Sequence, residues 1–244
     1  MSGHSKWATI KRQKGVNDAK RGVIFTKLGN AIAIAAKGGG DPAMNPTLAL
    51  AVQKAKEANM PNANIEKAIK RGTGELGGAI IEEMLYEGYG PGGIAVIVEC
   101  ASDNRNRTYS DVRTAFSKHG GNIAESGAVA FQFKRMGVIR VISDNPEDDL
   151  LKVIDAGAED AVEEGNNLIV YTDMKDLHKV RQALEAEGMK VDSAELAYIP
   201  KTTIQIDEES TARKAIALME ALDEIDDITE TYSNFDIADS ISLS

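Results

Sequence analysis

Residues 137–200 read GVIRVISDNPEDDLLKVIDAGAEDAVEEGNNLIVYTDMKDLHKVRQALEAEGMKVDSAELAYIP. Val138 to Ile142 has the β-branched density of a strand, Glu147 to Ala156 a helical pattern, and a short strand is expected near Ala161. Leu168 to Tyr171 reads as a strand, Lys175 to Glu187 as a helix, and Val191 to Tyr198 as a closing strand. Leu150 with Ile154, and Leu177 with Val180 and Leu184, keep the spacing of one helix face. The order βαββαβ is a ferredoxin-like unit complete in itself.

Outward from this unit the chain is incomplete on both sides. Before it, Glu82 to Glu87 and Ile94 to Cys100 read as strands around the turn Gly88-Tyr89-Gly90-Pro91-Gly92-Gly93. A helix from about Asn104 to Lys118 stops at Gly120-Gly121, and Ala128 to Phe133 reads as a further strand. After the unit come Thr203 to Ile206, a helix from about Asp207 to Leu222 with Ala215, Met219 and Leu222 on one face, and the β-branched stretch Ile228 to Tyr232. Neither piece is large enough to stand alone. The two are therefore expected to pair as a discontinuous α/β domain, residues 79–134 plus 203–244, with residues 135–202 inserted as the ferredoxin-like domain.

Residues 1–78 follow a different pattern. Ser5 to Lys14 sets Lys6, Lys11, Arg12 and Lys14 around the single tryptophan, Trp7, with too few apolar residues to form a face; this is a basic arm. A helix opens near Asp18, carries Lys20, Arg21 and the stripe Ile24, Leu28, Ile32 and Ala35, and ends at Gly38-Gly39-Gly40. A second starts at the cap Asn45 and the helix-opening Pro46 and stops at Asn59-Met60-Pro61. The third begins after Asn62 and closes at Gly72. Lys27, Lys54, Lys67, Lys70 and Arg71 lie on the flanks of this helical domain, and a Gly-rich linker ends it at residue 78. The expected fold class is α+β in three domains.

The 244 residues are 43% hydrophobic and 5% aromatic, which suits one to three globular domains and excludes collagen-like, mucin-like and wholly disordered chains. The longest apolar runs, Ala31 to Ala36 and Ile94 to Val98, fall far short of the ~20 residues that cross a bilayer. Met1 to Trp7 has no apolar stretch of the signal-peptide kind, so a cytoplasmic protein is expected. Cys100, alone in an apolar run, reads as a buried hydrophobe.

The net charge of −10 is unevenly placed. Residues 1–72 hold 13 basic against 4 acidic side chains, a net of +9, and the remainder 15 against 34, a net of −19. An asymmetry on this scale points to a polyanion-binding module joined to something that avoids polyanions.

Motifs for catalysis are thin. Gly72, Gly74, Gly77 and Gly88, Gly90, Gly93 each match G-x-G-x-x-G, but the first follows a helix and the second joins two strands, whereas a dinucleotide fingerprint needs a strand before and a helix after. His4, His119 and His178 lie far apart without metal-ligand spacing. Runs such as Glu147-Asp148-Asp149 and Asp226-Asp227 read as solvated helix starts and faces. No catalytic residue, metal or cofactor is expected, and the chain reads as a non-enzyme. Ser102 to Thr108 places Arg105 and Arg107 at the first turn of a helix, an arrangement that suits phosphate, or else an ordinary cap at Asp103 or Asn104 with solvated arginines. Trp7 suits base stacking, or else pins the arm to the helical domain.

Together these segments resemble the YebC/PmpR family, which includes the mitochondrial translational activator of cytochrome oxidase. The similarity runs nearly end to end: Gly3 to Trp7, Asp18 to Gly22 with Phe25 to Lys27, Gly38 to Pro42, Met60 through Ile65 to Gly72, Tyr86 to Gly93, Ser102 to Arg107, Ala156 to Asp160 and Asp192 to Glu195. The resemblance implies a three-domain cytoplasmic protein without catalytic residues or cofactor. Members are generally described as probable DNA-binding transcriptional regulators, and some relatives as ribosome-associated factors that assist translation through consecutive prolines.

The expectation is a regulator of gene expression, DNA-binding by the family's usual description, with ribosomal RNA binding as the alternative. Its nucleic-acid contacts are Lys6, Trp7, Lys11, Arg12, Lys14, Lys20, Arg21, Lys27, Lys54, Lys70 and Arg71, with Arg105 and Arg107 secondary. The acidic domains are left to orient the protein or to meet a protein partner. No membrane contact is expected.

Overall fold

Caps and breakers set the first helices. In the computed structural model, which describes the main chain of residues 18–238, 240 and 241 and the side chains among them from residue 22 onward, α1 spans Asp18–Ala36, α2 Pro46–Glu57 and α3 Asn62–Gly72. Asn45 accepts from the Leu48 amide at 3.1 Å and donates to the carbonyls of Ala35 and Gly39, both at 2.8 Å. One side chain thereby caps α2 and ties it to the end of α1. Ile32, Leu48, Val52, Ala55, Met60 and Ile65 form the core of these helices. Gly72 lets α3 close on α1, since a Cβ there would stand 2.1 Å from the Ala33 carbonyl oxygen.

The chain continues as β1 (Glu82–Tyr89), β2 (Ala95–Ser102), α4 (Arg105–Lys118), β3 (Asn122–Ala124) and β4 (Phe133–Ile142). Then come α5 (Pro146–Asp155), β5 (Asp160–Glu164), β6 (Asn167–Thr172), α6 (Leu177–Ala186) and β7 (Lys190–Pro200). The last elements are β8 (Ile204–Ile206), α7 (Glu209–Asp223), β9 (Ile228–Ser233) and β10 (Phe235–Ile237).

Two compact units result, residues 131–203 and residues 18–130 with 204–241. In the second, an antiparallel sheet of order β3-β1-β2-β9 brings the end of the chain beside β2, with Cys100 opposite Ile228 and Val96 opposite Ser233. Val96, Val98 and Cys100 of β2 pack with Val112 and Phe116 of α4 and Leu218, Met219 and Leu222 of α7. Gly88 is required by this packing, because a Cβ there would meet the Phe116 ring at 2.6 Å. α1 joins the same unit, with Ala33 against Ile81 and Ala101. It is apolar on two sides because it serves two neighbours.

The first unit has sheet order β5-β6-β4-β7, antiparallel throughout, which is the ferredoxin-like arrangement. Ile139, Val141, Leu168 and Val170 pack against Val153 of α5 and Val180 and Leu184 of α6. The chain is an α+β protein.

One expected strand is corrected. Ala128 to Phe133 is a turn and a short 3-10 helix, and β4 starts only at Phe133. The reason is Glu87, 2% exposed, whose carboxylate accepts from the amides of Gly127 at 2.6 Å, Val129 at 2.7 Å and Ala130 at 2.8 Å. Those donors satisfy a carboxylate where a strand would offer them to a neighbouring strand.

Candidate nucleic-acid interface

The helical layer is where the sequence puts its cations. Lys54 and Lys56 stand in the last turn of α2 and Lys70 and Arg71 in the last turn of α3. Positive charge there complements the carbonyl ends of the helices, so the fold itself favours these positions. Lys37, Lys54, Lys56, Lys67 and Lys70 are all exposed. Lys6, Trp7, Lys11, Arg12 and Lys14 lie outside the described residues, as do the side chains of Lys20 and Arg21.

Lys27 is differently placed. It is half-buried, and its Nζ donates to the carbonyl of Asp223, the last residue of α7, at 2.7 Å. A lysine of α1 thus satisfies a carbonyl that the end of α7 leaves open. Three residues on, buried Asn30 donates to the Ala101 carbonyl at 3.0 Å.

The arginines at this seam are also held. Arg71 meets Asp103 at 2.8 Å, and Arg107 meets the same carboxylate at 3.3 Å. Arg107 forks onto Asp227, with Nε to Oδ2 at 3.2 Å and Nη2 to Oδ1 at 3.0 Å, and Nη2 also reaches Ser102 Oγ at 3.1 Å. Asp227, 7% exposed, additionally accepts from Thr108 Oγ1 at 2.8 Å, and its carbonyl accepts from the Ala101 amide at 2.8 Å. The hydrogen bond to Asp227 holds the Arg107 proton more tightly still. Asn104 caps α4 by accepting from the Arg107 amide at 3.1 Å. Of the two readings of Ser102 to Thr108, the geometry therefore builds the cap and an internal ion-pair network around Arg107, while Arg105 stays exposed.

Arg71, Asp103, Arg107, Asp111, Asp226 and Asp227 line a cleft of about 560 Å³ together with Thr26 and Asn30. Its carboxylates outnumber its two guanidiniums, which makes it a poor seat for phosphate. Sequence reasoning missed this commitment, because the partners of Arg107 and Lys27 lie 120 and 196 residues away. Cys100, 2% exposed, has its thiol pushed up to about 12, by burial first and by the charge of Asp227 next. That thiol stays protonated at neutral pH. Among the described residues no three His, Cys, Asp or Glu side chains converge on a metal position, and no helix is long and apolar enough to cross a membrane.

Residues 5–75 match the family model described as the TACO1/YebC protein N-terminal domain, and residues 81–235 the one described as the TACO1/YebC second and third domain. A protein of Halothermothrix orenii is 54% identical, covering 99% of this chain and 97% of its own, and one of Persephonella marina is 50% identical, covering 99% and 98%. Each is named a probable transcriptional regulatory protein. The crystal structure of a conserved hypothetical protein of Aquifex aeolicus superposes with a TM-score of 0.86 at 45% identity, covering 93% of this chain and 95% of that one. With both models matched in order and half the residues shared with full-length relatives, the chain belongs to the TACO1/YebC family.

Proposed function

We propose that this protein is a non-enzymatic regulator of gene expression that holds nucleic acid chiefly by its phosphates. It does so through the helical domain, residues 1–78, one of three domains with residues 79–134 plus 203–244 and residues 135–202. The observation that carries the reading is the chemistry of the outward cations. Lys37, Lys56, Lys67 and Lys70 are exposed lysines, as is Lys54 at the end of α2, and the guanidiniums of Arg71 and Arg107 are turned onto Asp103 and Asp227. An ammonium is a point charge suited to phosphate, whereas the bidentate reading of guanine needs a positioned fork. By sequence, Lys6, Lys11, Arg12, Lys14, Lys20 and Arg21 add positive charge to the same domain and Trp7 an aromatic ring, and Arg105 adds a cation from α4.

Duplex DNA is the first target, in keeping with the name the relatives carry. Structured RNA of the ribosome is the second reading, favoured by the same lysine chemistry, which asks for shape and phosphate spacing and not for base edges. The test is anisotropy with promoter and random duplexes over a salt series, beside ribosome co-sedimentation, for the wild type and a Lys54→Ala, Lys67→Ala, Lys70→Ala triple variant. Loss of three phosphate contacts lowers the slope of log affinity against log salt by about 2.7 on duplex. Duplex preference without ribosome retention supports DNA. Retention lost in the variant, without duplex preference, supports RNA. A wild type that binds neither sinks both.

A further inference from the structure

Within the acidic two-thirds of the chain, α4 is an exception. It carries Arg105, Arg107, Arg113 and Lys118 against the single acid Asp111. Arg107 belongs to the Asp227 network, but Arg105, Tyr109 and Arg113 fall on another row, four residues apart each time. Side chains at that spacing stand one above the other, about 6 Å apart along the axis. Arg105 and Arg113 are exposed, and Tyr109 is 42% exposed, unusual for an aromatic with a core beside it. Val112 and Phe116 already supply the contacts of α4 with that core.

Tyr109 is also held in place. The ring of Tyr86, on β1, lies 5.9 Å from it, centroid to centroid, at an interplanar angle of 53°. Tyr86 is anchored in turn by its hydroxyl, which donates to the Arg105 carbonyl at 3.4 Å. The neighbouring exposed positions of the helix, Asn106, Ser110 and Ser117, are neutral and polar. An oriented aromatic face between two guanidiniums, without an acid in its own row, is the composition of a base-stacking platform with phosphate contacts on either side.

We propose that the Arg105–Tyr109–Arg113 row, braced by Tyr86, binds single-stranded nucleic acid, with an unpaired base stacked on Tyr109 and the flanking phosphates held by Arg105 and Arg113. The proposal rests on the reading of the protein as a nucleic-acid binder and adds a preference within it. The lysines of the helical layer accept paired and unpaired strands alike. The α4 row selects unpaired ones, because a base inside a duplex does not offer its face.

The test uses the full chain, with a labelled oligouridine and a random duplex of equal length as probes. Tyr109→Ala and Tyr109→Leu each weaken oligouridine binding about tenfold, the scale of one lost base stack, and leave duplex binding within about twofold. Tyr109→Phe keeps the aromatic face and stays within about twofold on both probes. The Arg105→Ala, Arg113→Ala double variant lowers the salt slope on oligouridine by about 1.4. Leu keeps bulk against Tyr86, so agreement between the Ala and Leu variants separates stacking from packing. Unchanged oligouridine binding in the Tyr109 variants, or equal losses on both probes, overturns the proposal while the wider nucleic-acid reading stands. A wild type that binds neither probe removes that reading, and this one with it.

Discussion

The α/β layer and the outward ends of α2 and α3 are both rich in charge, but they use it in opposite ways. In the α/β layer, Glu87, Asp227 and Arg107 each answer a donor or acceptor that the backbone or a neighbouring side chain presents. On the helical layer, Lys67 and Lys70 are exposed, and Lys70 stands in the last turn of α3, where the helix end favours a cation. The first set is fixed by folding, so its chemistry is consumed internally. The second costs the fold little and supplies a sign of charge that a partner can use. A substitution in one set should register as stability, and in the other as binding.

The hardest test of that division is Glu87→Ala. Three amides lose their acceptor at once, one of them fully buried, so the unit loses about 3–5 kcal/mol, read as a lowered midpoint in denaturant. A loss under about 1 kcal/mol would break the comparison. Asp227→Ala is next, at about 2–3 kcal/mol, discounted because Arg107 is half-exposed and can recover water. Its nucleic-acid affinity, measured on folded protein, should stay within about twofold.

Lys67→Glu with Lys70→Glu should do the reverse. Stability falls by no more than about 1 kcal/mol, the loss of the favourable helix-end charge at Lys70 included, while affinity for duplex at low salt falls at least about tenfold. The smallest effect belongs to Asp149 of α5. Lys152 first, and Ser143 next, hold its carboxyl below the ordinary aspartate range. Its folded form therefore binds fewer protons than its unfolded form, and the stability it adds is present above about pH 4 and fades as pH falls through the lowered value. Asp149→Asn should cost less than about 1 kcal/mol at neutral pH and nothing at pH well below that window, checked by urea titrations at both.

Much of this architecture was legible in the residues. The ferredoxin-like order follows from strand and helix periods between Val138 and Tyr198, and the start of α2 from Asn45 and Pro46. The pairing of the flanking segments follows from neither being able to bury a core alone. What resisted reading was long-range satisfaction. Ala128 to Phe133 has the composition of a strand, and only the Glu87 carboxylate, some forty residues earlier, makes it a turn. β3 and β10, three residues each, are too short for a period to register. The candidate site divides the same way. The sign of the charge in residues 1–72 is visible in the sequence, but Lys27 and Arg107 look as available as Lys70 until Asp223 and Asp227 are placed beside them. The α4 row could have been found by its four-residue spacing, had Tyr109 been set beside the arginines.

The placement of β9 against β2 bears on how the chain is made. When Pro200 emerges during synthesis, every strand of the ferredoxin-like sheet is present, and that piece can fold at once. The earlier sheet must wait, with the edge of β2 uncovered, until Ile228–Ser233 arrives. A message cut short between those points would leave a product with one finished unit and one whose sheet edge is bare, which makes the codons of β9 the checkpoint for a sheet begun before the inserted unit was made.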